Sequence, residues 1–117
     1  MSHDLLQRVR DLQSYIAEGR ILEAMHEFYD ESVEMQEGLA EPVRGLAANL
    51  EREQQFLDAV AEWKGFEVHA VAVDGDRSLV EATMDFVDRD GEAVHYEQVS
   101  RAVWKDGKIV HERFYSA

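Results

Sequence analysis

Cysteine is absent from the 117-residue sequence, and proline occurs only once. Without cysteine the chain can form no disulfide framework, no thiol nucleophile and no thiolate zinc site. No run of about 18 apolar residues is present, so no helix is expected to span a membrane. The first residues lack the basic and apolar segments of a signal peptide, and we therefore expect a cytoplasmic protein.

Basic residues are also scarce, because 12 Lys and Arg stand against 25 Asp and Glu and give a net charge of −13. Nucleic acids and anionic membranes attract basic patches, so neither is expected as a partner. The acidic residues are spread along the chain, which aids solubility or reflects a saline environment. The length allows a single domain over residues 1–117, with 45% hydrophobic residues to form one core.

The first half of the sequence has the periodicity of helices. Apolar residues recur at three- and four-residue spacing over 5–16, 21–29 and 46–63, which predicts three helices. Residues 32–37 alternate between apolar and polar, as in a short strand. Residues 38–45 contain the proline, which disfavours regular pairing, and are predicted to form a loop.

The second half has the pattern of an antiparallel meander. Segments 66–73, 77–87, 94–104 and 109–115 are rich in Val, Phe, Tyr and Trp, as strands are. Three Asp-Gly dipeptides separate them, and this pair supplies the positive φ angles of tight hairpin turns. They are Asp74-Gly75, Asp90-Gly91 and Asp106-Gly107. Helices followed by strands indicate an α+β fold in which helices cover one face of a sheet.

Several local strings, in this order, resemble the SnoaL-like branch of the nuclear transport factor 2-like superfamily. They are GRILEA at 19–24, FYDESV at 28–33, EPVRG at 41–45, WKDGKIV at 104–110 and ERFY at 112–115. The resemblance implies a cone: a curved, mixed but mostly antiparallel sheet, with three helices covering an interior pocket. Relatives include ketosteroid isomerases, polyketide cyclases, limonene epoxide hydrolases and proteins that only bind ligands. It therefore implies a pocket more than a particular reaction.

The resemblance also implies which residues face the pocket. The polar groups of ketosteroid isomerases would fall at Met35, Val99 and near Leu12, all apolar, so that mechanism is not expected here. The residues expected to contact a ligand are Tyr15, Val33, Met35, Phe56, Trp63, Met84, Phe86, Val99 and Phe114. For the aromatic helix residues among them, ordinary core packing is the alternative.

Four polar residues are expected to share the pocket and to carry its chemistry. Glu112 would be the general acid or base, His95 its partner, Arg101 the charge stabiliser and Glu97 the group that orients Arg101. The alternative is a structural ion pair that neutralises a buried carboxylate. If the face assignment is inverted, Glu112 lies on the surface. The acid–arginine spacing is four residues here, whereas limonene epoxide hydrolases have two.

These residues lead to two functional hypotheses. The first is an isomerase, cyclase or hydrolase that acts on a small apolar compound by acid–base chemistry, without metal or organic cofactor. The alternative is a non-catalytic homodimer that binds a hydrophobic ligand or serves as a scaffold. The opposite sheet face is expected to form the dimer interface, through Tyr96, Trp104, Arg113 and Tyr115, because aromatic and Arg side chains are enriched at interfaces.

Overall fold

The computed structural model describes residues 2–117, with side chains from Asp4 onward. The element order is α1 (Ser2–Ala17), α2 (Ile21–Phe28), β1 (Tyr29–Glu37), β2 (Val43–Arg44), α3 (Leu46–Asp58), β3 (Val60–Asp74), β4 (Arg77–Asp88), β5 (Ala93–Lys105) and β6 (Lys108–Ser116). The predicted α+β class with three helices is confirmed. No helix of the described chain has the length and apolar character needed to cross a bilayer.

The six strands form one curved, open sheet in the order β2-β1-β6-β5-β4-β3. Strand β1 runs parallel to β6, whereas every other neighbouring pair is antiparallel. The prediction of a mixed, mostly antiparallel sheet is therefore confirmed. The hairpin between β5 and β6 shows why the Asp-Gly signal works: Asp106 has φ 52° and Gly107 has φ 79°. Two left-handed residues match the twist of the strands that they join.

One predicted helix boundary is wrong. Helix α3 ends at Asp58, and β3 already begins at Val60. Trp63 is therefore a strand residue, paired with Phe86 of β4, rather than a helix residue. The local apolar spacing is compatible with a helix, but pairing with β4 satisfies the backbone groups of this segment and outweighs it. Gly65 lies within β3 beside a register shift.

The helices cover one face of the sheet, which we call the inner face. Helix α1 packs against β3, and α3 packs against β1. Val9, Phe28, Val33 and Ile109 are almost completely buried between the layers. Burial of each such side chain contributes about 1.5–3 kcal/mol to folding. Trp104 belongs to the same core, and its indole Nε1 donates a hydrogen bond to Ser78 Oγ at 2.9 Å.

Candidate active site

A cavity of about 300 Å³ lies between the helices and the inner face. Its apolar wall is formed by Leu12, Ile16, Ile21, Ala24, Met25, Met35, Phe56, Phe66, Val80, Ala82, Met84 and Phe114. Its polar lining consists of Gln13, Tyr29, Gln36, Glu37, Asn49, Arg52, Glu53, Tyr96, Gln98, Ser100, Glu112 and Ser116. The size suits a small organic molecule with an apolar body.

A buried carboxyl group and a buried phenol meet in the cavity wall. Glu112 is only 4% exposed and Tyr29 only 6%. The hydroxyl of Tyr29 donates a hydrogen bond to Glu112 Oε1. Parallel pairing brings the two together, because β1 lies beside β6 with Tyr29 opposite Ile109, three residues before Glu112. The prediction that Glu112 faces the cavity is confirmed.

Burial changes the acidity of both groups. Burial is the main reason that the pKa of Glu112 is raised to about 7; the hydrogen bond from Tyr29 opposes this rise, and the charges of Glu53 and Glu37 add to it. Burial also raises the pKa of Tyr29 well above its usual value, because a phenolate would be desolvated beside a carboxylate. Glu112 can therefore take up or release a proton near neutral pH, as a general acid or base must.

A second polar group lies on helix α3 and at the end of β1. Asn49, Arg52, Glu53 and Phe56 follow the spacing of one helix face and all line the cavity. Burial and the nearby Glu37 raise the pKa of Glu53, while Arg52 opposes the shift. Asn49 Nδ2 donates hydrogen bonds to the backbone carbonyls of Val43 and Gly45, at 3.0 and 2.8 Å.

The predicted inward face of β5 is wrong. The even-numbered residues, such as Gln98 and Ser100, line the cavity, and the odd-numbered ones lie on the opposite, outer face. An uninterrupted hairpin from the Asp106-Gly107 turn would place Arg101 opposite Glu112. A register shift between Val103 and Trp104 places Ala102 there instead. A shift of one residue exchanges the two faces of a strand.

His95, Glu97 and Arg101 are therefore separated from Glu112 by the sheet. The imidazole of His95 contacts Asp85 Oδ1 at 2.6 Å and Glu97 Oε2 at 3.3 Å. These two hydrogen bonds raise the pKa of His95. Arg101 Nη2 lies 3.3 Å from His111 Nδ1 on the same outer face. The four residues expected to act together do not form one site.

The predicted ligand contacts divide into several groups. Met35, Phe56, Met84 and Phe114 line the cavity as expected. Val33 is fully buried in the core outside the cavity wall, and Val99 lies on the outer face with the other odd-numbered residues of β5.

The remaining three predicted contacts are aromatic. Trp63 and Phe86 pack with Phe56 in an edge-to-face cluster, with ring centroids 5.3–6.1 Å apart. Tyr15 packs edge-to-face on Phe28 and carries the guanidinium of Arg20 at 4.1 Å. Tyr15 does not line this cavity. Ordinary core packing, the alternative given for the aromatic helix residues, therefore applies to it.

Sequence reasoning missed Tyr29, Asn49 and Glu53, and Tyr96 was assigned to the wrong side of the sheet. Tyr29 lies at the junction of α2 and β1, where no local pattern indicates a partner 83 positions away. The polar face of α3 could have been found, since 49, 52, 53 and 56 have helical spacing. Among the described residues, no group of three or more His, Asp or Glu side chains is placed to hold a metal ion.

The predicted dimer residues also divide between the faces. Tyr96 lines the cavity, and Trp104 is buried in the core. Only Arg113 and Tyr115 lie on the outer face, where the guanidinium is 4.7 Å from the ring centroid. The inversion of β5 explains these placements as well.

Comparisons with known proteins agree with this architecture. A proposed SnoaL-like polyketide cyclase from Mesorhizobium loti superposes with a TM-score of 0.80 at 23% identity, covering 95% of this chain and 97% of its own. AclR, a proposed hydroxylase from Streptomyces galilaeus, gives a TM-score of 0.83 at 13% identity, covering 100% and 91%. A nuclear transport factor 2-like protein from Burkholderia pseudomallei gives 0.82 at 14%, covering 96% and 89%.

These identities establish the shared fold alone. No curated protein matches the chain. The family model of the SnoaL-like domain matches residues 9–112, which is most of the sequence. The chain therefore belongs to the SnoaL-like domain family.

Proposed function

We propose that the protein binds a small, largely apolar molecule in its cavity and transfers a proton to or from it through Glu112. The observation that carries this proposal is the burial of Glu112 in the wall of a cavity, hydrogen-bonded to Tyr29. A carboxyl group with a pKa of about 7 is present in both protonation states near neutral pH. The reaction class is isomerisation, cyclisation or hydrolysis by acid–base catalysis.

Tyr29 has a distinct role in this proposal. Its hydroxyl donates to one oxygen of Glu112, which leaves the other oxygen to exchange a proton with the bound molecule. The same hydrogen bond stabilises the carboxylate after it has released its proton. The burial of Glu112 shields its carboxyl group from water, which strengthens the electrostatic interactions of that group.

Similar folds also support the reaction class. One structural relative is named as a proposed polyketide cyclase, and cyclisation is one of the three reactions in this class. The alternative is a protein that binds a hydrophobic ligand without turnover. The apolar wall supports this alternative equally well, and only the buried acid favours catalysis.

A neutral bicyclic ketone, 2-tetralone, tests both possibilities because its α-proton is acidic. In D₂O, we expect the protein to accelerate deuterium exchange at that carbon, followed by NMR. Glu112→Gln should lower the exchange rate by about 10²–10⁴-fold, the usual contribution of a general base. Equal exchange in this variant would remove the catalytic role. Binding without any exchange would favour the non-catalytic alternative.

A matched pair of variants tests the location of binding. Ala82→Phe fills the cavity from its wall, whereas Ala72→Phe adds the same bulk to exposed strand surface. We expect only the first to weaken binding of 2-tetralone. Equal affinity in both would place the binding site elsewhere.

We also propose that the protein forms a homodimer through its outer face. Leu79 and Tyr115 expose 41% and 40% of their surface there. Among the described residues, Arg101 Nε is buried on that face without a hydrogen-bond partner. Leu79→Glu should then yield monomers in light scattering, and Leu39→Glu, in an exposed loop, should not. A dimeric Leu79→Glu variant would argue against this interface.

A further inference from the structure

The cavity wall contains three carboxyl groups, whereas an apolar ligand needs no negatively charged hydrogen-bond acceptor. Glu37, Glu53 and Glu112 come from three different elements and converge on one space. Among the lining residues in the described part of the chain, Arg52 alone carries a positive charge. It is exposed to solvent, so its charge is screened more strongly than that of the buried Glu112.

An uncharged acceptor in the same wall has no partner. Asn49 is 98% buried, since only 2% of its surface is exposed. Its amide nitrogen is oriented by the two backbone carbonyls that accept from it, and so its Oδ1 is the free end. That oxygen makes no hydrogen bond to any described residue. A buried acceptor without a donor is costly, and a ligand with N–H groups would satisfy it.

Asn49 and Glu53 lie four residues apart on α3, which makes them neighbours on the same helix face. A carboxylate and an amide oxygen side by side form a site for a positively charged hydrogen-bond donor. The described carboxyl groups are not placed to hold a metal ion, which favours an organic cation. The net charge of −13 also attracts cations to the protein and repels anions.

We propose that the cavity selects a ligand whose apolar body carries a protonated amine, with the ammonium group bound by Glu53 and Asn49 Oδ1. This proposal rests on the proposed function, because it requires that the cavity binds a small molecule. An ammonium group donates up to three hydrogen bonds. Its positive charge also compensates the negative charge of the buried carboxylates.

The proposal predicts a dependence of affinity on pH with a definite sign. The titratable groups that line the cavity with Glu112 are Tyr29 and Glu37 from β1, Arg52 and Glu53 from α3 and Tyr96 from β5, and α1 and α2 add no titratable side chain to the described lining. The carboxyl groups must be ionised to attract an ammonium. Because their pKa values are raised, the amine binds more weakly at pH 5.5 than at pH 8.

Three naphthalenes of matched size test the proposal on the full chain: 2-naphthylmethylamine, 2-naphthylmethanol and 2-naphthoate. We expect the amine to bind about tenfold more tightly than the alcohol at pH 8, measured by calorimetry, and the carboxylate to bind more weakly than both. Equal binding of alcohol and amine, or preference for the carboxylate, overturns this inference and leaves the proposed function intact. Absence of binding by all three overturns both.

A pair of isosteric variants tests the position of the ammonium group. Glu53→Gln removes a carboxylate from the cavity side of α3, whereas Glu51→Gln removes one from its exposed side. We expect the first to reduce the preference for the amine about fivefold or more, with little change in affinity for the alcohol. The second should leave the preference unchanged. An unaltered preference in Glu53→Gln overturns the proposed site.

Discussion

The two faces of the sheet carry similar ionisable groups in opposite environments. On the inner face, Glu112 is buried and has one neutral partner, Tyr29. On the outer face, His95 is exposed between the carboxylates of Asp85 and Glu97. The pKa of each group is raised, but burial is the main cause for Glu112 and hydrogen bonds to acids are the cause for His95.

This difference indicates what makes an ionisable residue a functional candidate. An exposed ion pair is solvated and screened, so it contributes little energy and can be replaced. A carboxyl group without a counter-ion in an apolar wall is costly to fold. Glu112 is therefore the residue whose position requires an explanation beyond stability.

Removal of an aromatic side chain should distinguish the faces most strongly. Trp104→Ala on the inner face should lower the free energy of unfolding by about 3–5 kcal/mol, because it leaves a cavity in the core. Tyr115→Ala on the outer face should cost about 1 kcal/mol or less at protein concentrations at which the chain is monomeric. Chemical denaturation measures both. A comparable cost for Tyr115→Ala that depends on protein concentration would show that the outer face is covered in solution.

The pH dependence of stability should separate Glu112 from an exposed acid. The folded protein holds the proton of Glu112 up to a pH of about 7, whereas an exposed glutamate loses its proton near pH 4.5. The contribution of Glu112 to the free energy of unfolding is therefore fully present below pH 4.5 and is lost as the pH rises to about 7. Glu112→Gln removes this loss and should be more stable than the parent at pH 8 by about 3 kcal/mol.

Glu97→Gln is the control for that experiment, because its side chain is 64% exposed on the outer face. We expect its unfolding free energy to follow the parent within about 0.5 kcal/mol at every pH. If the unfolding free energies of Glu112→Gln and the parent changed in parallel with pH, the raised pKa of Glu112 would be contradicted.

The partner of Glu112 should have a smaller effect. Tyr29→Phe removes the hydrogen bond that lowers the pKa of Glu112, so that pKa should rise above about 7. At pH 8 the variant should lose about 1–3 kcal/mol of stability, because a buried carboxylate is left without its donor. Carbon NMR of labelled glutamate follows the titration, with Glu112→Gln assigning the signal. An unchanged or lower pKa would show that the phenol does not stabilise the carboxylate.

The smallest effect is expected on the outer face. Asp85→Asn removes the larger of the two causes that raise the pKa of His95, which should fall as a result. Proton NMR of the imidazole measures the change, and Asp88→Asn at the last residue of β4 is a control outside the pair. A constant pKa for His95 would mean that Glu97 alone determines it.

The fold could be predicted largely from local patterns. The three Asp-Gly turns and the strands between them are encoded in consecutive residues, and the β5–β6 turn has the positive φ angles that the dipeptide favours. The site could be predicted only in part. Met35, Met84 and Glu112 line the cavity, as the resemblance implied for the faces of their strands, whereas Tyr29 and Glu112 meet through a parallel pairing of distant strands.

Composition and periodicity by themselves determined the class of the protein: an acidic, cysteine-free α+β domain with helices on one side of a meander. Tertiary structure alone decided which side chains of β5 enter the cavity, because the register shift between Val103 and Trp104 exchanges the two faces. It also decided that residues 60–65 extend β3. Alternation is a property of one strand, whereas register depends on its partner, and a single extra residue reverses the outcome.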